Sequence, residues 1–63
     1  MASEKDIIKL EKEIRAKMIG IKLGNLLPKD SGIGKLINLM KVIDEPLYDK
    51  LMKDYKNILS SLK

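Results

Sequence analysis

Apolar residues recur at three- and four-residue steps through most of this 63-residue chain, and this spacing constrains the fold more than any other feature. Side chains three and four positions apart share one face of an α-helix, whereas a half-buried strand requires strict alternation. Three segments carry the helical period, and no alternating run of useful length is present. The sequence therefore predicts one all-α domain over residues 1–63, with three short amphipathic helices in a small bundle.

The first amphipathic segment begins with a capping signal. Ser3 and Asp6 have the spacing of a capping box, in which each side chain accepts a hydrogen bond from the other residue's backbone. An apolar stripe follows and stays within an arc of about 80° on a helical wheel. Its members are Ile7, Leu10, Ile14, Met18 and Ile21. We expect a helix over residues 4–23 whose second half, with Ile19 and Leu23 off this stripe, is contacted on two sides.

Two further helices are predicted over residues 32–43 and 45–61. In the earlier of the two, apolar side chains cover about 220° of the wheel, so that only a narrow side faces water. Asp44, Glu45 and Pro46 form a helix-start signal, because Asp caps, an acid suits the positive first turn, and Pro needs no N–H there. An alternative is that these two segments are one helix kinked at Pro46, which would give a hairpin of two long helices.

The chain is short for the apolar surface that it carries. A domain of this length buries only about 60% of its unfolded surface and is marginally stable by itself. The sequence has no Cys and no His, so it cannot form a disulfide or the usual zinc sites. We therefore expect a symmetric dimer, a protein partner, or both, meeting at the wide apolar helix and the end of the first helix. The predicted interface residues are Ile19, Leu23, Leu26, Ile33, Leu36, Leu39, Met40 and Ile43.

The residue types also bound the function. Without His or Cys, no Ser-His or Cys-His nucleophile pair can form, and we expect no catalytic residue, metal site or cofactor. No apolar run approaches the length of about 18 residues that a membrane span requires, so we expect a cytoplasmic protein. The sequence favours a non-catalytic interaction protein, meaning a small regulator, adaptor or accessory subunit that binds a protein partner through an apolar helical face.

A second hypothesis, binding of DNA or RNA, comes from a glycine-containing stretch. Ser31-Gly32-Ile33-Gly34-Lys35, with Leu27-Pro28 upstream, resembles the glycine hairpin of helix-hairpin-helix DNA-binding modules. The resemblance implies that backbone N–H groups of the turn hold a phosphate, with flanking lysines adding positive charge. The candidate phosphate anchors are Lys29, Ser31, Gly32, Gly34 and Lys35. The net charge of +4 is divided evenly, with seven basic and five acidic residues in 1–31 and six and four in 32–63, which disfavours this alternative.

Overall fold

The computed structural model describes residues 3–62, which form a bundle of α-helices. The helices are α1 (Glu4–Lys22), α2 (Pro28–Ser31), α3 (Ile33–Ile43) and α4 (Glu45–Ser61). α3 packs against both α1 and α4, and the single turn of α2 packs against α3. The predicted all-α bundle is confirmed, and α4 has the predicted bounds of 45–61.

The segment before α3 differs from the prediction. Residues 28–31 lie outside the three predicted helices, but they form the extra turn α2, because Pro28 is preorganised for the first position of a helix. Gly32 then has a positive φ of 71° and separates α2 from α3, which starts at Ile33 instead of at residue 32. α1 ends at Lys22, one residue earlier than expected.

Two side-chain caps start α1 and α4. The Ser3 hydroxyl accepts a hydrogen bond from the Asp6 N–H at 3.3 Å, and the Asp6 carboxylate accepts one from the Ser3 N–H at 3.2 Å, which completes the predicted capping box. Asp44 has a non-helical backbone, with φ −153° and ψ 89°, and its carboxylate accepts a hydrogen bond from the Leu47 N–H at 3.1 Å. α3 and α4 are therefore separate helices, and the alternative of one helix kinked at Pro46 is wrong.

A glycine ends α1. Gly24 has a positive φ of 79°, and its N–H donates to the Ile21 carbonyl at 3.1 Å, while the Asn25 N–H donates to the Gly20 carbonyl at 2.9 Å. These two bonds are those of a Schellman motif, which satisfies carbonyls that the end of a helix would leave unpaired. The motif reverses the chain so that the following segment passes back over α1, where Leu26 lies close to Gly20.

The helices α1, α3 and α4 together supply the core side chains. All of these side chains are at most 3% exposed. They are Ile14, Met18 and Ile21 from α1, Ile33, Ile37 and Met40 from α3, and Leu51 from α4. The three core residues of α1 belong to the predicted stripe, so the helical periodicity correctly identified the buried face of this helix.

Considerable apolar surface remains outside this core. The bundle measures 37 × 18 × 15 Å and exposes 4803 Å², against about 4,100 Å² for an average folded monomer of its mass. The large apolar side chains that are about half exposed or more are Ile8, Ile19, Leu23, Leu27, Leu39, Val42 and Leu62. Such side chains matter functionally only where they lie together on a surface that a partner can cover.

The glycine that ends α1 gives a direct test of the fold. Replacing Gly24 with Ala should lower the free energy of unfolding by about 1 kcal/mol, because a Cβ is strained at positive φ. The matched control is Gly34→Ala in the first turn of α3, where a Cβ meets no atom within 4 Å. There the higher helix propensity of Ala should raise the free energy of unfolding by about 0.5 kcal/mol. Urea unfolding followed by circular dichroism measures both changes, and two shifts of the same sign would contradict the described backbone.

Candidate partner-binding groove

A groove with a cavity volume of about 350 Å³ lies between α1 and α4. Its lining residues are Arg15, Met18, Ile19, Lys22, Asp54, Asn57 and Ile58. Met18 is buried and Ile58 half-buried, whereas Ile19 leaves 58% of its surface exposed. The groove is therefore apolar at its base and along the α1 edge, with polar and charged groups around it.

The helical period explains why this groove exists. Met18 belongs to the core stripe of α1, but the next residue, Ile19, is rotated by about 100° around the helix and projects away from α3. One turn further on, Leu23 continues the same edge and is 67% exposed. Across the groove, Ile58 packs partly against the core from α4. The α1–α4 junction thus leaves one apolar edge more than half exposed to solvent.

Arg15 connects the two walls of the groove. Its Nε donates to Glu11 Oε2 at 2.9 Å within α1, and its Nη1 donates to Asp54 Oδ2 on α4 at 3.4 Å. The hydrogen bond to Glu11 raises the pKa of the Arg15 guanidinium above its ordinary value. Partial burial acts in the opposite direction and lowers this pKa. The negative charge of both carboxylates and the hydrogen bond to Asp54 raise it further. Arg15 therefore stays charged between the two carboxylates.

We expect the ion pair between the walls to make only a small contribution to stability. A double-mutant cycle with Arg15→Gln and Asp54→Asn should give a coupling of at most about 1 kcal/mol in unfolding free energy, because both side chains are about 40% exposed. The coupling should decrease at high salt. A cycle with Glu11→Gln is the control for the pair within α1, and a coupling above about 2 kcal/mol between Arg15 and Asp54 would contradict the partly solvated geometry.

The surface next to the groove combines apolar and basic side chains, and we call it the outer face of α1. Within an arc of about 140° on the helical wheel, this face carries the exposed residues Lys5, Ile8, Lys9, Lys12, Ile19, Lys22 and Leu23. The same arc contains one acidic residue, Glu4. It also contains Arg15, whose positive charge is paired with Glu11 and Asp54. None of the four lysines has an ion-pair partner among residues 3–62. The outer face is therefore positively charged, with Lys22 in the groove lining and the other three lysines nearer the start of α1.

The predicted interface residues do not form one surface. Ile33 and Met40 are fully buried in the core of the single chain, and Leu26, Leu36 and Ile43 are partly buried. Their assignment to the seam of a dimer is corrected for Ile33 and Met40. The wide apolar arc of α3 is covered from two directions, by α1 and by α4, within one molecule.

Three members of the predicted interface are exposed, but they lie in different places. Ile19 lines the groove and Leu23 extends its edge, whereas Leu39 is on α3 and is 54% exposed. Val42, also on α3, is 87% exposed and was not predicted as an interface residue. Ile8 was missed on α1 as well. The exposure of Val42 and Ile8 has a basis in the sequence, because each residue lies on a different side of its helix from the residues that form the core.

The candidate phosphate anchors are divided by the fold. Ser31 is buried, its hydroxyl donates to the Pro28 carbonyl at 2.9 Å, and its oxygen accepts from the Ile33 N–H at 3.1 Å. This hydroxyl is therefore a structural group of the α2–α3 junction and does not face a ligand. Lys29, Gly32, Gly34 and Lys35 are exposed, but Gly34 lies inside α3 and not in a turn between glycines.

Two further observations concern the type of site. Within residues 3–62, no group of three or more acidic residues is placed to hold a metal ion, and no helix combines the length and apolar character needed to cross a bilayer. Comparison with models of protein families, with curated proteins and with solved structures gives no match to this chain.

Proposed function

We propose that this chain is a non-catalytic helical interaction protein, acting in the cytoplasm as a regulator, adaptor or accessory subunit, and that it binds a protein partner in the α1–α4 groove. The observation that carries the proposal is the exposed apolar edge formed by Ile19 and Leu23 beside a concave surface. Covering such apolar side chains with a partner removes their surface from water, which favours association.

The direction of the helices supports a helical partner. Arg15 is paired with Asp54, and Ile19 shares the groove with Ile58, which lies four residues after Asp54. The residue numbers increase together along both walls, so α1 and α4 run in the same direction. A groove between two such helices is the place where a further helix packs in a four-helix arrangement, and an amphipathic helix inserts its apolar side chains into a groove of this kind.

The charged groups of the groove support binding in preference to catalysis. The Arg15 guanidinium is occupied by Glu11 and Asp54, which leaves Lys22 and Asn57 as the other polar groups of the lining. General acid–base chemistry requires a donor and an acceptor with pKa values near the working pH. An exposed lysine on α1 and an amide on α4 can fix the orientation of a bound partner.

Position-specific photo-crosslinking in the source cells tests the proposal. With benzoylphenylalanine in place of Ile19, we expect an adduct with a discrete second protein, because this side chain lies at the centre of the groove edge. The matched control places the same group at Lys53, which is exposed on α4 outside the groove lining and should give no such adduct. Equal labelling at the two positions, or no protein adduct at Ile19, would overturn the proposal, and an adduct sensitive to nuclease would support the nucleic-acid alternative.

Self-association is also proposed, and the structure changes which residues it would use. With Ile33 and Met40 in the core, the exposed apolar side chains of α3 are Leu39 and Val42. We expect multi-angle light scattering at about 50 μM to give the mass of a dimer, and Val42→Lys to shift it towards the monomer, because the lysine would be buried unpaired at the seam. A monomeric wild-type chain would refute self-association and leave partner binding in place.

A further inference from the structure

The charge of the outer face of α1 indicates which charge a partner should have. Lys5, Lys9, Lys12 and Lys22 are exposed on it and have no ion-pair partner among the described residues 3–62. Opposite charges across an interface accelerate association and exclude wrong partners, while like charges facing each other are costly. Lys22 lines the groove beside Ile19. A partner helix that follows the apolar edge from Ile19 back to Ile8 also lies beside Lys5, Lys9 and Lys12, so negative charge on that partner is favoured.

We infer that the occupant of the groove is an acidic amphipathic helix of another protein, an inference that rests on the proposed function. The exposed apolar residues Ile8, Ile19 and Leu23 lie along α1 and its C-cap. The fifteen steps from residue 8 to residue 23 correspond to about 22 Å of helix. A helix of about 15 residues can therefore follow the whole edge. Its apolar side chains would cover the edge, and its acidic side chains would pair with the flanking lysines.

A second copy of this chain does not provide such a helix. α3 contains no acidic residue, and the outer face of α1 is itself basic. α4 carries the acidic residues Glu45, Asp49 and Asp54, but it also carries three exposed lysines, and Asp54 is already paired with Arg15. Two copies meeting at the groove would also bring together chains that each carry a net charge of +4. Charge complementarity thus favours a different protein over self-association at this site.

Shape and polarity distinguish a helix from the other anionic occupants. A lipid surface is smooth, and it would leave the concave part of the groove between Ile19 and Ile58 unfilled. A nucleic acid would pair with the lysines through its phosphates, but it would place charged backbone against Ile19 and Leu23, which are both more than half exposed. A helix with one apolar and one acidic face satisfies both the apolar edge and the four cations.

Binding of designed peptides to the full chain tests the inference. Two labelled helical peptides of about 18 residues carry the same leucine stripe and differ only in having Glu or Lys at the flanking positions. Fluorescence anisotropy at low salt should show at least about tenfold tighter binding of the Glu peptide, and the difference should shrink at high salt because exposed charges are screened.

Variants of the chain assign this preference to the outer face of α1. Lys9→Glu combined with Lys12→Glu should remove the preference or reverse it, whereas Lys53→Glu combined with Lys56→Glu makes the same charge change on α4 and should alter it by less than about twofold. Ile19→Asp should weaken binding of the Glu peptide by at least about tenfold, because it removes apolar surface from the groove edge. Leu27→Asp makes the same kind of change at an apolar residue that is 65% exposed outside the groove lining, and it should leave binding unchanged. Circular dichroism of every variant verifies that the bundle is intact.

The outcomes separate this inference from the proposed function. Equal binding of the two peptides, with both lost in Ile19→Asp, would overturn the acidic occupant and leave the groove as a protein-binding site. Failure of both peptides to bind would also overturn the inference, while the crosslink at Ile19 decides the proposed function independently. Tighter binding to anionic phospholipid vesicles or to duplex DNA than to the Glu peptide, dependent on Lys9 and Lys12, would show that the occupant is not a protein helix.

Discussion

The packing of α3 between α1 and α4 is the interaction on which the rest of the structure depends. α3 is eleven residues long, contains no acidic residue, and supplies Ile33, Ile37 and Met40 to the core. Because it contacts both long helices, its wide apolar arc is largely used within one chain. α1 and α4 are thereby held side by side with their apolar stripes directed towards α3. The groove lies between α1 and α4, on the side of their junction that α3 does not cover.

The helices could be predicted closely wherever local chemistry marks their ends. α4 starts where expected because Asp44 caps it and Pro46 can stand only near a helix start. α2 could not be predicted from periodicity, because a helix of four residues contains little more than one turn of the pattern. Its formation depends on Gly32, whose positive φ lets the chain change direction between α2 and α3.

The candidate site was only partly accessible from the sequence. Ile19 and Leu23 were identified because they lie off the core stripe of their own helix, which is a local property. A helical wheel gives the width of an apolar face but not the number of neighbours that cover it, and for that reason Ile33 and Met40 were assigned to a dimer seam. The groove depends on the proximity of residues 15–22 and 54–58, which follows only from the tertiary arrangement.

The same apolar edge links function to stability. Ile19 and Leu23 contribute little to the folded monomer, since both keep more than half of their surface in water, and a small domain has little stability to spare. A partner that binds only the folded chain stabilises it by about 2.7 kcal/mol at a concentration one hundred times its Kd. Replacing these residues with polar ones would improve the free monomer's surface but remove that stabilisation. An exposed apolar edge on so small a bundle is therefore compatible with a stable fold if the chain is bound to its partner most of the time.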